Sequence, residues 1–195
     1  MVTLTENAIA AKLLDAAVKL FAHKGYPATS TREIVEAAGV TKPMLYYYFQ
    51  SKEGLLGAAF GHFLDTFHER LRLVVAEPHE PHRQLVELVW AHLDFCQAHK
   101  PLARLFYALY FGPDDQKNLI DLDKYAQAGH ELLAQGVTQA AAAQLVRSGC
   151  EAELVMALHG MINIWVIAAL NDGTELNYSL AQRIVDDLLR GFHNS

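Results

Sequence analysis

The sequence predicts an all-α protein of about nine helices: a small N-terminal three-helix domain joined to a larger helical body. Three observations carry that expectation. Apolar residues recur at i, i+3 and i+4 along most of the chain, and no stretch alternates with the period of two that a half-buried strand requires. Thr29 to Lys52 (TSTREIVEAAGVTKPMLYYYFQSK) contains two short helix signals separated by a tight turn. Charge divides unevenly: residues 1–52 hold six basic and four acidic side chains, +2, so the remainder carries −8 of the net −6. A mildly basic head on an acidic body suits a nucleic-acid reader with a separate regulatory part.

The first helix is expected from about Asn7 to Lys24, with Ile9, Leu13, Ala16, Ala17, Leu20 and Phe21 at helical spacing and Lys24-Gly25 as its stop. Tyr26-Pro27 links it to the pair that follows. Ser30 can cap the second helix, and Glu33, three residues on, can reach back to the Ser30 N–H. Ile34, Val35, Ala37 and Ala38 supply the apolar face. Gly39 stands where a left-handed residue is wanted, because it lacks the Cβ that makes that conformation costly. Thr41 can cap the third helix, and Pro43 occupies its first turn, where a missing N–H breaks no intrahelical bond. Leu45, Tyr48 and Phe49 form its inward stripe, leaving Lys42, Met44, Tyr46 and Tyr47 outward.

Two helices around a short glycine-containing turn make a helix-turn-helix, whose second helix enters the major groove. The outward residues suit that use. Thr31, Arg32, Thr41, Tyr46 and Tyr47 can hold the DNA backbone, and Lys42, Pro43 and Met44 can meet base edges or thymine methyls. Ser51 can cap a fourth helix from Lys52 to about Ala76, and Lys52 at its positive end is expected to clamp a further phosphate. Leu56, Phe60, Phe63, Phe67 and Leu71 stripe this helix, which is too long to serve the head alone and reads as a connector.

Residues 9–60, above all TREIVEAAGVTKPMLYYYFQSKEGLL, resemble the DNA-binding domain of the tetracycline-repressor (TetR) family of bacterial transcriptional regulators. Two positions depart from the commonest pattern. Pro43 stands where glycine is frequent, removing a backbone donor, and Tyr48 stands where histidine is frequent. The rest of the chain resembles the family in length and helical layout.

Beyond the connector, Glu77 to His82 reads as a loop, with a fifth helix to about Ala98. Its face carries Leu85, Leu88, Val89, His92, Cys96 and His99. Pro101 opens a sixth helix, Leu102 to Tyr110, ended by Phe111-Gly112-Pro113. A seventh is expected over roughly Asp114 to Ala140, though Gly129 and Gly136 weaken it. Ser148 and Glu151 form a capping box for the eighth, which ends at Asn171-Asp172-Gly173. The ninth runs from about Tyr178 to Phe192. The domain boundaries expected are 1–51 for the reader, 52–76 for the connecting helix and 77–195 for the body.

Helix eight is apolar nearly all round and helix nine shows a broad apolar face, so a partner surface is expected over about 150–170 and 178–192. The resemblance implies a homodimer through these two helices, bound to a palindromic double-stranded DNA operator. Phe63, Phe67, Trp90, Phe106, Tyr107, Tyr110, Met161 and Trp165, with His92 and Cys96, describe either a plain core or a pocket for a small, mostly apolar molecule. The resemblance implies a body that binds an effector, and release of a repressor when it does. A regulator or activator without any small-molecule ligand is the alternative.

Other chemistries find less support. His92, Cys96 and His99 stack on one helical face and are all capable metal ligands, but nothing selects a fourth, so no metal and no cofactor is expected. The His79/His82 pair in a proline-bounded loop is weaker still. No glycine-rich phosphate loop, carboxylate pair or nucleophile elbow points to an enzyme. Two cysteines, Cys96 and Cys150, make no disulfide framework, and the N-terminus has no signal-peptide pattern. A cytoplasmic protein is expected, with Leu154 to Leu170 as a buried helix rather than a membrane span.

Overall fold

The structure is a computed structural model, and it describes residues 8–112 and 120–192. Among these residues there are nine helices and no strand: α1 (Ala8–Lys24), α2 (Thr31–Ala38), α3 (Lys42–Phe49), α4 (Lys52–Ala76), α5 (Pro81–Ala98), α6 (Lys100–Tyr110), α7 (Leu122–Ala142), α8 (Glu151–Asn171) and α9 (Tyr178–Phe192). The all-α expectation holds. Asn7, Pro113 and Asp114, read from the sequence as helix boundaries, lie outside the described residues.

The chain forms two compact units: residues 1–65 with 100–122, and residues 66–99 with 123–195. In the first unit, Leu13, Ala17 and Phe21 of α1 pack with Ile34 of α2, Leu45 and Phe49 of α3, and Leu55, Leu56 and Phe60 of α4. Three short helices alone would make a marginal core. Here α6 lies on α1 and adds Leu102, Leu105 and Leu109 to the same interior.

The second unit is built on α5, against which α8 and α9 pack. Its interior comes from Leu85, Leu88 and Val89 of α5, Leu133 and Val137 of α7, Leu158 and Val166 of α8, and Ile184 and Val185 of α9. The glycine that weakened the helix-seven expectation has a packing reason. A Cβ at Gly136 would stand 2.4 Å from Leu88 Cδ1, so glycine allows α7 to approach α5 closely. Gln84, buried at the start of α5, donates through Nε2 to the carbonyls of Val74 and Val75 (3.2 and 3.1 Å) and so caps the end of α4.

Several local expectations are corrected. Helix α5 begins at Pro81, inside the expected loop, because the Glu80 carboxylate accepts from the Arg83 N–H at 3.1 Å and Pro81 fits the first turn. The Ser148/Glu151 capping box is not formed: Gly149 turns with φ +83°, leaving Cys150 as the N-cap with no side-chain cap bond. Ala37 is exposed rather than on the inner face of α2. The apolar face of α9 is largely spent inside its own unit, and its outward residues are polar: Gln182, Arg183, Asp187 and Arg190. Helix α8 is long and apolar enough to cross a membrane by length and composition alone. It buries Leu154, Val155, Leu158, Ile162, Val166 and Ala169 but leaves Met156 66% and Ile164 56% exposed.

Candidate nucleic-acid interface

Helix α2 starts as its sequence dictates. The Ser30 Oγ accepts from the Glu33 N–H at 3.2 Å, and the Glu33 carboxylate accepts from the Ser30 N–H at 2.9 Å. Lys24 of α1 also pairs with Glu33, tying the capping box to the preceding helix. The Lys24 ammonium, followed by the Ser30 amide and hydroxyl, holds the Glu33 carboxyl down at about 2. The helix stops at Gly39, φ 66° and ψ 34°, with Val35 O accepting from the Val40 N–H at 3.0 Å.

Thr41 takes the extended N-cap conformation of α3 (φ −95°, ψ 154°), but its side chain makes no cap bond, contrary to expectation. Pro43 is the cause. It removes one of the two N–H groups a cap can accept from, and the other, on Met44, is bonded to the Thr41 carbonyl at 3.0 Å. The Thr41 hydroxyl is therefore left at an exposed helix end.

Leu45 and Phe49 are buried, and every other residue from Thr41 to Tyr47 is exposed. Tyr47 is 77% exposed, Tyr46 43% and Met44 38%. Tyr48 is half-buried, edge-on to Tyr47 at 5.0 Å. The basic side chains around this face are mostly neutralised. Lys19 pairs with Asp15, Lys24 with Glu33, and Arg32 with Glu36 (2.7 Å). Lys42 has no carboxylate partner among the described residues, and its ammonium lies 5.8 Å from the Tyr46 ring centre.

Lys52 is placed differently from the phosphate clamp expected of it. Its ammonium donates to the carbonyls of Tyr26 and Thr29, each at 3.0 Å, and lies over the Tyr26 ring. The charge fastens the turn between α1 and α2 to the start of α4. Tyr26 was missed in the sequence, where Tyr-Pro read only as a linker. Its ring is buried against Phe21, and its hydroxyl donates to Glu53 at 2.8 Å. Burial, then the Glu53 carboxylate, pushes the Tyr26 hydroxyl above its ordinary range.

A second sharp feature follows α3. Gln50 has φ 64° and ψ −36°, and the Ser51 N–H reaches the Phe49 carbonyl at 2.7 Å across it, a γ-type turn. A Cβ at Gly54 would stand 2.1 Å from the Phe49 carbonyl oxygen, so glycine is required for α4 to begin so close to the end of α3. The angle at which α3 leaves its support is set here.

The residues expected to line a pocket fall in both units. In the first, Phe106 stacks on Tyr110 at 5.5 Å and meets Tyr107 edge-on at 5.9 Å. Phe63 lies edge-on to the neighbouring His62 ring. In the second, Phe67 packs on His92 at 4.8 Å and on Phe95 at 4.7 Å. Trp90 instead faces Tyr178 of α9 at 6.0 Å, because two helical residues turn it about 200° from His92. Met161 is half-buried, and the Trp165 Nε1 is buried without a hydrogen-bond partner. Burial pushes the Cys96 thiol up to about 12, which keeps it protonated. No group of three or more His, Cys, Asp or Glu with metal-site spacing exists among the described residues.

Comparison with known proteins finds relatives of this region. The family described as "Bacterial regulatory proteins, tetR family" matches residues 13–59. The repressor KstR2 of Rhodococcus jostii is 30% identical over 114 residues, 58% of this chain and 53% of that protein. The repressor NicS of Pseudomonas putida is 36% identical over 81 residues, 40% of this chain and 38% of that protein. The chain spans about half the length of the first curated relatives it matches. Among solved structures, the transcriptional regulator FadR of Bacillus subtilis in complex with stearoyl-CoA superposes with a TM-score of 0.79 at 21% identity, covering 94% of this chain and 99% of that one. Residues 13–59, with α2 and α3 folded as described, thus match the N-terminal region of the tetR family of bacterial regulatory proteins.

Proposed function

We propose that this chain is a cytoplasmic, DNA-binding transcriptional repressor that acts as a homodimer on a palindromic operator and is released by a small, mostly apolar effector. The observation that carries the reading is the outer face of α3. Lys42, Pro43, Met44, Tyr46 and Tyr47 are exposed together above a buried Leu45 and Phe49, at the end of a helix held by a capped partner. That is the arrangement a recognition helix needs. In this reading Lys42, Pro43 and Met44 meet bases, while Thr31, Arg32, Thr41, Tyr46 and Tyr47 hold the backbone. Lys52 supports the head from within. The names of KstR2 and NicS as repressors favour that sign of regulation.

The reader is residues 1–51, the connector 52–76, and the effector and dimerisation part 77–195. The exposed stripe Met156, Gly160, Ile164 on α8, one turn apart, favours a second copy as the partner. Release requires an effector that prefers the non-binding arrangement; equal affinity for both shifts nothing. Selection of bound fragments from a random DNA pool tests the core of the proposal. An inverted repeat whose half-sites lie about 34–36 Å apart is expected. Recovery of no common sequence, with salt-sensitive binding to every fragment, would overturn it.

A further inference from the structure

Histidines from four helices meet in the second unit, with His68 buried, His92 and His159 half-buried and His130 exposed. His68 of α4 is buried at 3% exposure. His92 of α5 stands edge-on to His159 of α8 at 6.3 Å between ring centres. His159 in turn stacks on His130 of α7 at 5.1 Å, with planes 16° apart. Helix α7 passes this group at Gly129, where an added Cβ would lie 3.7 Å from the His68 Nε2 and 3.9 Å from the His92 Nε2. Two imidazole nitrogens thus approach one point on α7.

The tautomer of His92 is set by its partner. Its Nδ1 lies 2.9 Å from the Leu88 carbonyl, which has no proton to give, so Nδ1 carries the hydrogen. In the neutral ring Nε2 is then an acceptor only, and no hydrogen bond to it is found among the described residues. The His159 Nε2 is buried and likewise unpartnered. Buried polar atoms are ordinarily paired, and exceptions call for a reason. His92 and Cys96, one turn apart on α5, are both half-buried. The adjoining wall is the Phe67 ring, edge-on at 4.8 Å.

Three ligand chemistries could meet such nitrogens. A metal ion is disfavoured, since no metal-spaced group exists among the described residues. A carboxylate needs imidazolium, and burial holds both His92 and His159 down at about 4. A hydroxyl needs only what His92 presents, a lone pair. We infer that this cluster is the polar end of the effector cavity and takes an apolar molecule bearing an alcohol or phenol, whose hydroxyl donates to the His92 Nε2. The inference rests on the reading of the second half as effector-binding.

The test titrates the full-length protein with 4-propylphenol, 4-propylanisole and 4-propylbenzoate at neutral pH, following the imidazole nitrogens by NMR and affinity by calorimetry. The phenol is expected to move the His92 Nε2 signal and to bind roughly tenfold tighter than the anisole, the ratio one hydrogen bond supplies. His92→Phe should bring the phenol down to the affinity of the anisole. Equal binding of phenol and anisole would leave an effector cavity standing and overturn the hydroxyl assignment, and so would a preference for the benzoate. Binding of none of the three would overturn both this inference and an accessible effector cavity. The phenol-to-anisole comparison in the unaltered protein decides the matter even if His92→Phe fails to fold.

Discussion

The Lys52 ammonium lies 4.1 Å from the centre of the Tyr26 ring and donates to the Tyr26 carbonyl at 3.0 Å, so one cation grips both the face and the backbone of one residue. Its second bond, to Thr29, closes the turn just before the cap of α2. A lysine that the helix-turn-helix pattern offers as a phosphate ligand is thus committed to holding the reader together.

This commitment separates two lysines experimentally. Lys52→Met keeps the stem and loses two charge-assisted bonds and a cation–π contact, and should destabilise the protein by about 1–3 kcal/mol in urea melts. The slope of log binding constant against log salt should stay that of the unaltered protein. Lys42→Ala should do the opposite, leaving stability within about 0.5 kcal/mol and weakening operator binding by about 1–3 kcal/mol. A slope change at Lys52 with no loss of stability would reinstate the clamp.

The Glu33 carboxyl, at about 2 in the folded chain, lies below the ordinary value of 4.5. A depressed carboxyl contributes stability that is complete above its unfolded value and disappears as pH falls through the folded one. Acid melts between pH 4.5 and 2 should therefore show the unaltered protein losing its advantage over Glu33→Gln. A constant gap across that window would mean that Glu33 is not held by Lys24 and Ser30.

His92 and His159 give a pH dependence in a higher window. Burial lowers both to about 4 from 6.5, with the neighbouring imidazoles adding to it: His159 and His68 at His92, and His130 at His159. Between those values the unfolded chain binds more protons, so stability rises with pH from about 4 to 6.5 and levels off above. Melting temperature should fall from pH 7 to pH 4.5, and fall less in His92→Phe. Parallel profiles for the two proteins would show that His92 is not the group responsible.

Met156→Glu or Ile164→Glu would place a charge on the exposed stripe of α8. A charge there costs nothing in an isolated chain but is expensive in a dry interface. Light scattering should report a halved mass with unchanged helical circular dichroism. A dimer that survives both substitutions would move the interface elsewhere.

Much of the fold was legible along the chain because it depends on neighbours a few residues apart. The Ser30/Glu33 box, the Gly39 stop and the alternation of Leu45 and Phe49 with exposed tyrosines are such local contests, settled by backbone geometry. The Ser148/Glu151 box looked equivalent yet failed, since Gly149 turns with φ +83° and makes Cys150 the N-cap. Thr41 likewise looked like a side-chain cap until the missing N–H of Pro43 was set beside the bond made by Met44. The pocket residues were the least legible. Helical spacing places His92 and Trp90 on different sides of α5, but only packing reveals that one meets Phe67 and the other Tyr178.

Sequence alone therefore determined most of the helices, the helix-turn-helix pattern within residues 9–60 and the outward set from Lys42 to Tyr47, because capping, period and glycine stops act within a few residues. Tertiary structure alone decided the partner of the Lys52 charge, 26 and 23 residues away, and the meeting of His68, His92, His130 and His159 from four helices. Charge and hydrogen bonding have no sequence period, so a lysine or histidine finds its role only when the chain has closed around it.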